Sequence, residues 1–303
     1  MILMCDLIIK KAFTKKLEIG YVEYGPPNGF PIILLHGFPD DVLAWHVTAL
    51  MLEKNGFHIF VPYLRGFGET KFLNEDIPRA GQQAAIGQDV LDFMDALGLD
   101  NTVLAGYDWG CRAACVASVL APARVSALLA IGGYNITNIK ANANPCPPAE
   151  EKERWYHWYF TLERGKKGLD KNRYTLCNML WKHWSPNWQF DSETFSQTAR
   201  SFENSDFVSV VIQEYRHCYG CDPGDPAYRN IERLLAEQPQ ITVPSIVLHG
   251  ASDAVHPPHY SLPSMVKFPE RTKRQVVDGG HFLPRENPES IVNAILELTT
   301  FSK

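Results

Sequence analysis

Short, continuous apolar runs alternate with stretches of helical spacing along most of this chain, and this alternation restricts its fold more than any other feature. "PIILLHG" (Pro31 to Gly37) is a continuous apolar run, "DVLAWHVTALMLEKNG" (Asp41 to Gly56) has helical spacing and ends in glycine, and "FHIFVPYLRG" (Phe57 to Gly66) again reads as strand. The pattern then repeats, with "GQDVLDFMDALG" as helix, "NTVLAGY" as strand, "WGCRAACVASVL" as helix and "VSALLAIGG" as strand. Strands that are apolar on both sides must be covered on both sides, so the pattern predicts a mostly parallel sheet with helices over each face. The opening "MILMCDLIIKK" reads as a first strand: it lacks a leading basic segment, is broken by Asp6 and has no small-residue cleavage site, unlike a secretory signal.

After Tyr134 the pattern stops. "NANPCPPAEEKERWYHWYF" opens with prolines and charges, and from there to about Gln240 the periodicity is helical with no buried strand. Five of the seven tryptophans (Trp155, Trp158, Trp181, Trp184 and Trp188) fall in this segment. Sheet signals return with "ITVPSIVLHG" and "KRQVVDGG", and the helix "NPESIVNAILELTTF" closes the pattern. The expected organisation is a core from residues 1–138, a helical cap over 139–240 inserted between two strands, and the rest of the core from 241–303.

Net charge is −5, from 29 basic and 34 acidic residues with no block of like charge, so the chain carries no electrostatic footprint for nucleic acid or an anionic membrane. No run approaches the roughly 18 apolar residues needed to span a bilayer. A small molecule and water are the expected partners; oligomeric state leaves no mark in the sequence. Seven scattered cysteines argue for free thiols in a reducing compartment, hence the cytoplasm. Cys218 and Cys221 form a C-x-x-C with no second pair or histidine spacing beside it, and read as two independent thiols. No metal or organic cofactor is expected.

In a parallel sheet, functional groups collect beyond the carboxyl ends of the strands. Four stretches lie there: "HGFPD" (His36 to Asp40), "GYDWG" (Gly106 to Gly110), "HGASDAVHPP" (His249 to Pro258) and "DGGHFLPRENPE" (Asp278 to Glu289). "GYDWG" has the form of a strand-turn-helix elbow that usually presents a serine, yet its centre is Asp108. The glycines let strand and helix approach, and the helix N-terminus favours the ionised carboxylate. Asp108 is therefore a candidate carbon nucleophile, although an aspartate there could merely cap the helix.

An ester formed on a carboxylate must be cleaved by water, so a base and an oxyanion hole are needed. His281 follows the last strand after two glycines and stands C-terminal to both candidate carboxylates, in the order nucleophile, acid, histidine. Asp253, just past "SIVLHG", is the candidate acid that orients it. Asp278 reads as a turn residue, and the stretch after "ALLAIGG" offers Tyr134 and Asn135 but no carboxylate. The backbone N–H groups of Phe38 and Trp109 are the expected oxyanion hole. Phe38–Pro39 is a candidate cis bond.

Together, "HGFPD…W", "RGFG", "GYDWG", "HGASD" and "GGHFLPRENPE" resemble the α/β-hydrolase fold over essentially the whole chain, and the Asp-Trp elbow with "HGFP" resembles its epoxide hydrolase family. The resemblance implies a cap inserted after the sixth strand, and two cap tyrosines that hold the epoxide oxygen and protonate it as the ring opens. It maps these roles to Tyr156 in "ERWYHWYF", with Tyr159 as the near alternative, and to Tyr215 in "VVIQEYRHCYG". It further implies a substrate pocket drawing on His36, Pro39, Trp109 and Trp155, with the tryptophan-rich cap suggesting an apolar epoxide substrate.

Two other readings compete. Haloalkane dehalogenases share the aspartate and its neighbouring tryptophan, but usually place a second halide donor, commonly Asn, where this chain has Phe38. Fluoroacetate dehalogenases favour an arginine directly after the nucleophile, where Trp109 stands. A non-catalytic relative that binds a ligand through its cap would have no physical reason to keep Asp108, Asp253, His281, Tyr156 and Tyr215 together.

Overall fold

The structure is a computed structural model and describes residues 7–300. One sheet of nine strands forms the core: β1 (Lys10–Phe13), β2 (Leu17–Tyr24), β3 (Pro31–Leu35), β4 (His58–Pro62), β5 (Lys71–Phe72), β6 (Thr102–Tyr107), β7 (Val125–Ile131), β8 (Ser245–Gly250) and β9 (Lys273–Val277). Its order is β1-β2-β4-β3-β6-β7-β8-β9, with β5 paired to β2. From β4 to β9 every neighbouring pair is parallel, whereas β1, β2 and β5 are antiparallel additions at one edge. Part of the expected first strand, residues 1–6, lies outside the described residues; the strand itself begins later, at Lys10.

The parallel strands are the apolar runs of the sequence. All six residues of β6 and all six of β8 are buried, as a strand covered on both faces requires. Helices α1 (His46–Glu53), α2 (Gln83–Leu97) and α3 (Trp109–Leu120) belong to the covering layers, α2 and α3 packing on each other. Between β7 and β8 come α4 (Pro148–Glu153), α5 (Trp155–Thr161), α6 (Glu163–Trp184), α7 (Ser192–Ala199), α8 (Phe207–Cys218) and α9 (Arg229–Ala236), with no strand among them. Three helices follow: α10 (Ser261–Ser264), α11 (Leu283–Glu286) and α12 (Pro288–Thr300), the last packing on α1 and β7. Among the described residues, no helix is long and apolar enough to cross a membrane.

The inserted helices are fastened to the loops after β8 and β9. At the end of α6, the Trp184 carbonyl accepts from the Ala254 N–H at 3.1 Å, while the Ser185 hydroxyl accepts from the Phe282 N–H at 3.2 Å and donates to Glu286 at 2.6 Å. Trp184 stacks on Phe282 and meets the His281 ring edge-on with centroids 5.0 Å apart. A second buried network lies alongside. Tyr107 donates to Asp40 Oδ2 at 2.6 Å, and Arg285 binds the same carboxylate through Nε at 2.9 Å and through Nη2. Such paired charges, with Asp40 fully buried and Arg285 largely so, fix the geometry of the loops that carry them, because separating them would strand a charge away from water.

Candidate active site

Four strand ends converge on one point. Phe38 follows β3, Asp108 follows β6, Asp253 follows β8 and His281 follows β9. Asp108 has φ +51°, a strained left-handed conformation that holds a non-glycine side chain out at the elbow. The flanking glycines are required by contact. A Cβ on Gly106 would lie 2.4 Å from the Gly110 carbonyl carbon, and one on Gly37 would lie 2.5 Å from Asp108 Cβ. The Phe38–Pro39 bond is cis.

The Phe38 N–H donates to Asp108 Oδ1 at 2.8 Å. Trp109, the other expected oxyanion-hole donor, directly follows Asp108 and begins α3, where its N–H has no intrahelical acceptor. The other oxygen, Oδ2, lies 3.7 Å from His281 Nε2. His281 Nδ1 donates to Asp253 Oδ2 at 3.1 Å, and Asp253 Oδ1 accepts from the N–H groups of Val255 and His256 at 3.0 and 2.8 Å. Burial alone would push His281 down, but the charge and hydrogen bond of Asp253, with the charge of Asp108, outweigh it and raise its pKa above 6.5. Burial alone would push Asp253 up; its pairing with His281 wins and holds it below 3.8.

Tyr156 on α5 and Tyr215 on α8 meet edge to face over this carboxylate, with ring centroids 5.7 Å apart. Both line a cavity of about 160 Å³ together with Asp108 and Trp109, and neither hydroxyl has a hydrogen-bond partner among the described residues. Burial pushes both phenols well above 10, and the charge of Asp108 adds to the shift. Tyr159 is directed elsewhere: its hydroxyl occupies the space above Gly168 on α6. A second space of about 90 Å³ lies behind, between Asp108, His281 and His256.

Three of the residues expected in the pocket are not brought to these cavities. His36 spends both ring nitrogens on backbone, Nδ1 donating to the Gly37 carbonyl at 3.0 Å and Nε2 accepting from the Leu64 N–H at 3.0 Å. Burial lowers its pKa to about 4, so it is neutral. The Pro39 carbonyl accepts from the Trp181 indole at 2.7 Å, and Trp155 packs on Tyr156 and Tyr159. The expected apolar lining is also corrected. Arg112 and Glu214 form an ion pair at the cavity wall, and Arg154, His157 and Asn142 line it as well. Cys218, half of the C-x-x-C, is buried against Glu214 at 2.9 Å, while Cys221 is exposed.

Sequence reasoning missed several of these groups. Asn135 Nδ2 donates to the Asp108 carbonyl at 2.8 Å and braces the elbow. Arg112, the one charge in an otherwise apolar helix, and Glu214, next to Tyr215, carried a readable signal, since a lone charge on a buried helix demands a partner.

A strained strand-turn-helix elbow at Asp108 after β6, Asp253 after β8, His281 after β9 and a helical insertion define a class, and the chain belongs to the α/β-hydrolase fold family, whose model matches residues 31–288. Several of its relatives are named epoxide hydrolases. A crystal structure from Klebsiella pneumoniae, of a protein provisionally named an epoxide hydrolase, is 38% identical with a TM-score of 0.93, covering 96% of this chain and 97% of that one. Epoxide hydrolase A of Mycobacterium tuberculosis is 23% identical over 95% of both chains. Human epoxide hydrolase 4 is 23% identical over 92% of this chain and 75% of its own.

Proposed function

We propose that this chain opens a small epoxide to a vicinal diol through a covalent ester on Asp108. The observation that carries the reading is the pair of unpartnered phenol hydroxyls facing an ionisable carboxylate whose other side meets a histidine–aspartate pair. With Oδ1 held by the Phe38 N–H, Oδ2 is the attacking atom. It forms a bond to the less hindered epoxide carbon while that carbon's bond to oxygen breaks, and Tyr156 or Tyr215 gives the departing oxygen its proton. An alkoxide is too basic to leave unassisted, and phenols held protonated by burial are suited to the task.

Esterification removes the charge of Asp108, one of the influences that raise His281. The histidine then becomes a neutral base when one is needed. Oriented by Asp253, it takes a proton from water; the hydroxide adds to Asp108 Cγ, and Oδ1 carries the developing charge between the N–H groups of Phe38 and Trp109. The Cγ–Oδ2 bond breaks, His281 returns its proton to the departing diol oxygen, and the proton left on the Asp108 carboxyl restores the phenol. Residues 139–240 serve as the cap. The unpaired thiols of the described cysteines support a reducing compartment, and we assign the enzyme to the cytoplasm.

Turnover of a short terminal epoxide and of the matching chloroalkane tests the reading. Diol should form from the epoxide, with the chloroalkane reacting far more slowly; the reverse preference would replace it by a dehalogenase. The two steps should also differ in pH dependence. Ring opening, followed as a transient change in tryptophan fluorescence, should hold its rate up to about pH 10, because both phenols stay protonated there. Ester hydrolysis should fall as pH drops through the His281 pKa, since only the neutral imidazole accepts a proton. A ring-opening rate that falls through an apparent pKa well under 10 would remove the tyrosines from the acid role.

A further inference from the structure

We propose that Arg154 anchors a carboxylate on the substrate, so that the site selects short epoxides bearing an anionic group. This rests on the epoxide reading above and adds the substrate class. Arg154 lies at the junction of α4 and α5, two residues before Tyr156, and lines the same cavity as Asp108 and both cap tyrosines.

The charges around that cavity are otherwise matched. Arg112 is paired with Glu214, and Asp108 faces His281. His157 hydrogen-bonds the Tyr219 hydroxyl at 2.6 Å, and burial keeps both it and His256 neutral, His256 being lowered to about 3. Arg154 has no carboxylate within 4.0 Å among the described residues. Its Nη1 donates to Cys146 Sγ at 3.6 Å, and the guanidinium sits 4.9 Å over the Tyr260 ring. Two acids near it in sequence are engaged elsewhere: Glu151 accepts from the Trp158 indole at 2.8 Å, and Glu153 pairs with His183 at 2.5 Å.

A half-buried guanidinium with five N–H donors and only a weak thiol acceptor is a binding site for a planar anion, and a carboxylate matches its fork. The compensation works in both directions. An anionic substrate would be repelled by the Asp108 carboxylate unless a cation held its charge at the far side of the cavity. At about 160 Å³ the cavity is below the size range of sites for drug-sized ligands, so only a few bonds can separate the epoxide carbon from the anion.

The test compares glycidate with glycidamide, which differ in charge and hardly in shape, in the parent enzyme and in Arg154→Gln. The parent should favour glycidate in kcat/KM, and the ratio of glycidate to glycidamide should fall about 10- to 100-fold in the variant, the range for losing a charge-assisted hydrogen bond. A parent that prefers the amide, or a variant that keeps the parent's ratio, overturns the proposal. Calorimetric binding of glycerate, the diol product, reads the anion site without turnover and should weaken by a similar factor in Arg154→Gln; equal binding also overturns it. Glycerate binding that depends on Arg154, with neither epoxide consumed and no adduct on Asp108, would instead sink the epoxide reading and leave the anion site standing.

Discussion

Replacing His281 by Ala should trap the enzyme as its ester, with the mass of one substrate added at Asp108 and no steady-state diol. The first half-reaction asks nothing of the imidazole: Asp108 Oδ2 attacks, the phenols donate, and Phe38 N–H keeps Oδ1 in place at 2.8 Å. The second half-reaction depends on it, because His281 Nε2, 3.7 Å from Oδ2, is the base within reach of a water poised on the ester carbon. Removing a residue that acts in one step only should therefore separate the steps. Peptide mass mapping after a single addition of epoxide checks this. A folded variant that turns over at the parent rate, or that never acquires the adduct, would take the base role away from His281.

The second large effect concerns the cap. In the double variant Tyr156→Phe, Tyr215→Phe, ring opening should fall by at least about 100-fold, the usual return from general-acid help. Each single variant should lie between, because both hydroxyls reach the same cavity and either can donate. Substrate affinity should weaken too, since the same hydroxyls hold the epoxide oxygen before it reacts. Because phenylalanine keeps the aromatic packing between the two rings and against Trp184, the loss is assignable to the hydroxyls. A halide leaves as a weak base and needs donors but no proton, so haloalkane turnover surviving unchanged beside unimpaired ring opening would favour the dehalogenase.

What the sequence made legible follows from how each part is buried. The runs that became β3, β6, β7 and β8 could be read because strands covered on both faces are apolar throughout, and the residues at their ends then identified themselves by order along the chain. β2 went unread: "LEIGYVEY" lies toward the sheet edge, buried along part of its length only, and Gly20 interrupts its pattern where Glu69 packs close. Arg112 signalled that a partner was needed, but which residue that was lay out of reach for a different reason. Arg112 and Glu214 lie 102 residues apart and only the folded chain pairs them. The cap tryptophans misled in the same way, because composition cannot tell a residue that lines a cavity from one that packs behind it. Trp181 and Trp184 are buried against Phe282, supporting the His281 loop.

The account stands on the ester at Asp108, and one measurement reaches it directly. In a single turnover in water enriched in heavy oxygen, with enzyme in excess, the diol should contain no label and the Asp108 side chain should gain one heavy oxygen, because water attacks Cγ and Oδ2 leaves with the product. Label found in the diol on that first turnover, with Asp108 unlabelled, would mean that water attacks the epoxide directly and that the carboxylate acts only as a base.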